Sequence, residues 1–195
     1  MMRKTFLAVL ISGAMVSGAQ AAGNQVNGYL FGNVGQADYD TGSFYSGTAG
    51  SLDEKDVGFK VGAGIQLNPY IGIEFQYVDL GELTYKDNGF KGEDSAEGYG
   101  ANLVMTLPLD RFKLYGKVGY HKMEYEVREK AFGLSWGEEE KEWVASYAIG
   151  ATFALTPQFE IVGEYERYEK VADNFNDSGF DADIDLASIG LRYNF

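Results

Sequence analysis

The feature that most limits what this chain can fold into is a strict two-residue alternation from Val57 to Leu67. Val57, Phe59, Val61, Ala63, Ile65 and Leu67 alternate with Gly58, Lys60, Gly62, Gly64 and Gln66. Successive side chains of a strand point to opposite faces, so one face here is wholly apolar and the other polar or glycine. A run of about 11 residues is twice the common length of a soluble strand but fits one that crosses a bilayer at a tilt. The period returns in Ile71, Ile73, Phe75 and Tyr77, in Tyr99 to Leu107, in Phe112 to Tyr120, in Tyr147 to Leu155, in Phe159 to Tyr165 and in Ala187 to Phe195. With Val26 to Gln36 as a weaker first strand, eight strands are expected.

The three prolines mark connections, because proline cannot join a central ladder. They fall in Asn68-Pro69-Tyr70, Leu107-Pro108-Leu109-Asp110 and Thr156-Pro157-Gln158. Between them lie long polar stretches, about Asp38 to Glu54, Gly81 to Ala96, Glu124 to Glu142 and Glu169 to Asp183. Three short turns alternating with four long loops describe an antiparallel up-and-down meander of the bacterial outer-membrane type, termini periplasmic and loops extracellular. In lipid no open sheet edge survives, so the sheet must close into an all-β, eight-stranded transmembrane β-barrel with its apolar face outward and its polar face filling the interior. Phe112, Phe159 and Phe195 at one end of that outer face, and Tyr77, Tyr99, Tyr120, Tyr147 and Tyr165 at the other, fit interfacial girdles.

Arg3 and Lys4 precede an apolar stretch from Phe6 to Val16 and small residues ending in Ala19-Gln20-Ala21. That is the pattern of a secretory signal peptide, too short to be a membrane helix of about 20 residues. Residues 1–21 are therefore expected to be the signal and 22–195 the barrel domain, with cleavage after Ala21 or one residue later. The mature chain then holds 14 basic and 29 acidic residues, a formal charge of −15, and nucleic acid is an unsuitable partner. The absence of cysteine excludes a disulfide-stapled exported scaffold.

The segment VGAGIQLNPYIGIEFQYVDLG at Val61 to Gly81, with LYGKVG at Leu114 to Gly119, resembles the membrane domain of OmpA and its small relatives. The closing Ile189-Gly190-Leu191-Arg192-Tyr193-Asn194-Phe195 resembles the assembly signal of outer-membrane barrels, with Ile189, Leu191, Tyr193 and Phe195 in phase on the lipid face. The resemblance implies handling by the barrel-assembly machinery. The family's periplasmic peptidoglycan-binding domain has no counterpart in these residues, so a wall-tethering role is not expected. By position Glu74, Lys117 and Glu164 match members of the charged set inside such barrels, whereas Val104, Thr152 and Val162 stand where the pattern carries charge.

The residues themselves predict that Lys60, Lys113 and Lys117 pair inside the barrel with Glu74, Glu160 and Glu164, because an unpaired buried charge costs several kcal/mol. His121 faces the interior by parity but lacks ligand spacing to other residues, and Ser and His stand in no recognisable catalytic register. No enzyme activity, metal or cofactor is expected. Asp181, Asp183 and Asp185, with Glu138, Glu139, Glu140 and Glu142, read as a solvated acidic surface; the alternative is calcium or magnesium shared with lipopolysaccharide phosphates. The third loop, with Phe132, Leu134 and Trp136 at its apolar tip, reads first as a hairpin whose strands continue past the membrane, with Tyr125 and Val127 facing Trp143; the alternative is that these three residues are contact points.

An eight-stranded barrel is just wide enough for its own side chains, so general diffusion is disfavoured even though such chains are often grouped as a porin family. The expected role is structural, contributing to envelope integrity in contact with outer-membrane lipid and lipopolysaccharide. Two alternatives stay open: an adhesin or receptor whose loops contact host or cell-surface ligands, and a narrow channel for ions or small apolar molecules.

Overall fold

The computed structural model describes residues 26–40, 51–53, 55–87, 90–131, 134–171 and 182–195. The expected signal peptide and Phe132 lie outside the described residues. Among them are nine strands: β1 Asn27–Asp40, β2 Ser51–Asp53, β3 Lys55–Asn68, β4 Ile71–Asp87, β5 Phe90–Leu109, β6 Phe112–Ala131, β7 Leu134–Ala154, β8 Phe159–Val171 and β9 Ala182–Asn194. Each long strand pairs antiparallel with its neighbour in sequence, and β1 pairs with both β3 and β9, which closes an eight-stranded barrel. β2 is a short addition on β4. The first strand begins at Asn27 and runs to Asp40, four residues past the expected Gln36.

Three short turns gather at one end, here the turn end. Asn68 Oδ1 accepts hydrogen bonds from the backbone N–H groups of Tyr70 and Ile71, and Thr156 Oγ1 does the same for Gln158 and Phe159. Asp110 takes the left-handed conformation (φ 59°) that a tight turn needs and that aspartate tolerates. Pro108 is not in a turn, as expected, but in the last rungs of β5, opposite Lys113. The N–H of Thr106 still reaches Tyr70 on the β4 side. Two residues on, the missing N–H of Pro108 points to the same side, beyond the start of β4, and disturbs no ladder.

At the opposite, hairpin end β4 and β5 run further than expected, while β6 and β7 continue as the hairpin expected for the third loop. Much of Gly81 to Ala96 and of Glu124 to Glu142 is strand: β4 and β5 pair up to Asp87 and Phe90, and β6 and β7 up to Ala131 and Leu134. The facing pairs also differ from expectation. Tyr125 lies opposite Glu140 and Val127 opposite Glu138, while Trp143 lies opposite Lys122 and stacks on Tyr120 with ring centroids 5.2 Å apart. Parity explains this, since Tyr125 is buried inside and Trp143 is exposed outside.

On β6 and β9 the amphipathic sense inverts once. On β9, Ile189, Leu191 and Tyr193 point out and Arg192 points in; beyond Ala187, Asp185 and Asp183 lie on the outer face while Leu186 and Ile184 are buried. On β6, Leu114, Val118 and Tyr120 point out over Lys117 and His121; beyond them Lys122 and Glu124 take the outer face and Met123 and Tyr125 are buried. A strand in lipid must turn apolar atoms outward and the same strand in water must turn them inward, so the inversion marks where the barrel leaves the bilayer. The expectation of a polar interior throughout is corrected accordingly: the hairpin end of the lumen is filled by an apolar cluster that includes Tyr39, Leu80, Met123, Tyr168, Ile184 and Leu186.

Candidate functional site

The interior on the turn-end side of that cluster is built around four cations, Lys60, Lys113, Lys117 and Arg192, and four carboxylates, Glu74, Glu160, Glu164 and Glu166. Parity puts them inside: each sits on an inward position of β3, β4, β6, β8 or β9. Lys60 Nζ contacts Glu164 and lies 2.7 Å from Glu166; Lys117 Nζ is 2.5 Å from Glu74 and 2.7 Å from Glu164. Lys113 is 2.5 Å from Glu160. Arg192 bridges Glu74 at 3.2 Å and approaches Glu160 at 3.9 Å.

The six residues singled out from sequence are thus brought together, in pairings that the sequence did not specify. Glu166 and Arg192 were missing from that set, although both lie in phase with its members. Tyrosines complete the network: Tyr29 donates to Glu74 at 2.8 Å and Tyr115 to Glu164 at 2.6 Å. The Arg192 guanidinium lies 4.3 Å from the centre of the Tyr29 ring, a distance suited to a cation–π contact. Gly64 and Gly150 make room for these rings, since a Cβ at either position would fall 2.2 or 2.4 Å from Tyr29 or Tyr115. Val104 and Val162 pack with Tyr115 as a small apolar patch within the charged layer.

Above the ion pairs, His121 and Ser146 meet. Ser146 Oγ is 3.2 Å from His121 Nδ1, and Gln76 Nε2 is 3.1 Å from His121 Nε2. A hydrolytic triad uses its carboxylate to hold the histidine, which then accepts the serine proton. Here Ser146 donates to Glu166 at 3.2 Å, and Gln76 Nε2, which also donates to Glu166, stands against His121 Nε2. The serine proton is thus directed at the carboxylate, and both His121 and Ser146 are buried.

Outside the apolar belt a collar of charges surrounds the barrel. Lys55 meets Asp38 at 2.8 Å, Lys141 meets Glu124 at 3.2 Å, and Arg167 grips Asp185 through two hydrogen bonds of 2.6 and 2.5 Å. Asp183 lies 3.7 Å from Arg167. The guanidinium hydrogen bonds hold Asp185 below the ordinary carboxylate range. Asp181 lies outside the described residues, as do the side chains of Leu134, Trp136 and Glu138 to Glu140. The closing residues Ile189, Leu191, Tyr193 and Phe195 are exposed on the outer face, and the backbone N–H of Phe195 donates to the Gly28 carbonyl at 3.0 Å, joining the end of the chain to β1.

A closed barrel with an outward apolar belt and a charge-paired lumen is the architecture of a family whose model, described as outer membrane protein beta-barrel domain, matches residues 6–195. The chain belongs to that family. Within it, outer membrane protein A of Escherichia fergusonii is 30% identical over 201 residues, which cover 100% of this chain and 56% of the relative. The Shigella flexneri protein of the same name is 29% identical over 200 residues with the same coverage. The chain therefore spans little more than half the length of these relatives, and the OmpA-like resemblance holds for the membrane domain. Among solved structures, Neisserial surface protein A superimposes with a TM-score of 0.62 at 16% identity, covering 86% of this chain and 97% of that one. The attachment invasion locus protein Ail of Yersinia pestis gives 0.60 at 19%, covering 89% and 100%. A second Ail structure, in complex with the heparin analogue sucrose octasulfate, gives 0.59 at 17%, covering 88% and 99%. These likenesses establish the fold of a transmembrane barrel of the outer membrane.

Proposed function

We propose that this chain is a non-catalytic structural protein of the outer membrane that contributes to envelope integrity. The observation that carries this reading is the charge-balanced interior, four cations against four carboxylates, which occupies the lumen where a diffusion pore would need water. In this reading residues 1–21 are a cleaved signal peptide, the turn end faces the periplasm and the hairpin end faces outward. Lipid and lipopolysaccharide cover the belt, and the assembly machinery reads Ile189, Leu191, Tyr193 and Phe195. The test is a strain lacking the gene, complemented by the wild-type chain. It should become sensitive to bile-type detergents and to antibiotics too large for pores, and complementation should restore resistance. Unchanged sensitivity would overturn the reading.

A second reading, adhesion through the hairpin end, is favoured by the strands β4 to β7, which carry paired backbone well beyond the apolar belt. The Ail complex involves a sulfated ligand, but here the segments 38–56, 79–97, 122–142 and 167–185 hold 24 acidic and nine basic residues. A partner for this surface would be basic, or would share divalent cations with it. Binding of cells to immobilised protein, with and without a chelator, separates the two readings.

A further inference from the structure

We propose that the lumen is closed twice in series by two different chemistries, so that breaking either closure alone leaves the barrel impermeable to ions. The first closure is the belt of ion pairs. The second is the apolar cluster at the hairpin end, to which every barrel strand except β3 contributes. On β3 the contribution is Gly58, over which Leu186 closes: a Cβ there would fall 2.9 Å from Leu186 Cδ1. Tyr39, Leu80, Tyr168, Ile184 and Leu186 are at most 2% exposed, which makes this end a packed core and not a funnel. Tyr168 joins the two parts: its hydroxyl accepts from Gln76 at 3.0 Å and its ring stands edge-on to His121 at 5.3 Å.

Between the closures lies a polar layer of different character. Gln76 Oε1 is buried there beside His121 and Ser146 without a protein partner, and Asn33 Oδ1, opposite Lys60, and both polar atoms of the Asn102 amide, opposite Glu74, are buried without one in the adjoining ion-pair belt. Buried polar groups of this kind are ordinarily satisfied by water. This layer is the part of the lumen that would hydrate into a conducting path if its two boundaries were removed, and in the native barrel it is sealed from both ends. The inference deepens the structural reading and rests on it. An intact envelope phenotype with a conducting barrel would overturn the double closure alone, whereas a silent barrel with no envelope phenotype would overturn only the structural role.

The chain has no cysteine, so a single thiol reports access cleanly. Ser146→Cys places it in the polar layer and Gln158→Cys in an exposed turn. In folded protein, checked by compact migration in an unheated gel, a small water-soluble thiol reagent should label Ser146→Cys at least about tenfold more slowly than Gln158→Cys. The cap is opened by Leu80→Ala with Leu186→Ala. The ion-pair belt is opened by Glu74→Gln with Lys117→Met, which removes one charge of each sign. Each change should raise Ser146→Cys labelling, and in planar bilayers neither alone should give current steps, whereas the combination should. Steps from the belt-opened variant alone would overturn the proposal, because the cap would not be a seal. Labelling of Ser146→Cys in the native background as fast as the turn control would also overturn it. If the combined variant fails to fold, labelling and silence of the two separate variants decide between the same outcomes.

Discussion

Lys60 is fully buried between Glu164 and Glu166, with both partners equally enclosed. Removing one partner of a buried pair leaves an uncompensated charge and costs about 3–5 kcal/mol, whereas removing both partners is far less harmful. Lys60→Met should therefore lower stability in detergent by about that amount, read from urea unfolding with the gel-resolved folded fraction. Lys60→Met with Glu166→Gln should recover most of the loss; a Lys60→Met protein as stable as wild type would sink this account of the interior. Parity alone put Lys60 inside, but not beside Glu164 and Glu166. Those residues belong to β8, three strands away around the barrel through β1 and β9, and which charges meet depends on strand stagger, which no local pattern encodes. Outside the belt the signs run differently. Asp185 is held below its unfolded pKa of about 3.9 by Arg167, so its contribution is fully present above that value and is lost as pH falls through the lowered folded value. Arg167→Ala should then cost about 0.2–1 kcal/mol near neutral pH, as partly exposed pairs do, and nothing measurable well below pH 3. An equal cost at both pH values would assign Arg167 a packing role instead.

At the scale of the strand, the period of two made the membrane-crossing segments legible, because lipid demands an unbroken apolar face. It did not locate where the strands end. Past the collar the solvent on the outer face changes from lipid to water, the pattern inverts, and a strand such as β6 continues as Lys122, Met123, Glu124 and Tyr125 with the opposite phase. Read without that inversion, Gly81 to Ala96 is simply polar and looks like a loop. The same inversion hides the apolar cluster from a period-two reading, since Leu186 and Ile184 stand out of phase with Ile189 and Leu191 and share the interior with Arg192. If the collar marks the edge of the bilayer, the cost of a charge on the outer face must depend on its distance from it. Ile149, near the middle of the outer face of β7, should cost about 2–4 kcal/mol when replaced by lysine, and Ala145, one rung from Trp143, about 0–1 kcal/mol. Refolding equilibria of Ile149→Lys and Ala145→Lys into vesicles measure the difference. Equal costs would place the bilayer edge elsewhere.

For the molecule as a whole, charge is divided by height. Residues 22–195 outside the four hairpin-end segments include five basic and five acidic residues, Lys60, Arg111, Lys113, Lys117 and Arg192 against Glu74, Asp110, Glu160, Glu164 and Glu166. The formal −15 therefore belongs entirely to the hairpin end, where 24 acidic residues face nine basic ones. Three cations of the collar are matched, Lys55 by Asp38, Lys141 by Glu124 and Arg167 by Asp185. A field of this sign attracts polycations and repels sulfated chains over distances set by ionic strength. With the protein inserted in neutral vesicles, polylysine should be retained and heparin excluded. Retention should weaken as ionic strength rises from about 0.01 M to about 0.15 M, because the Debye length shrinks from about 30 Å to about 8 Å. Replacing Glu138, Glu139 and Glu140 by glutamine removes three negative charges without shortening the chain and should weaken polylysine retention further at the lower ionic strength. Heparin retained in a salt-sensitive way, with polylysine ignored, would mean that the hairpin end turns its few cations outward and buries its carboxylates. The acidic-surface account of both function readings would then have to be abandoned.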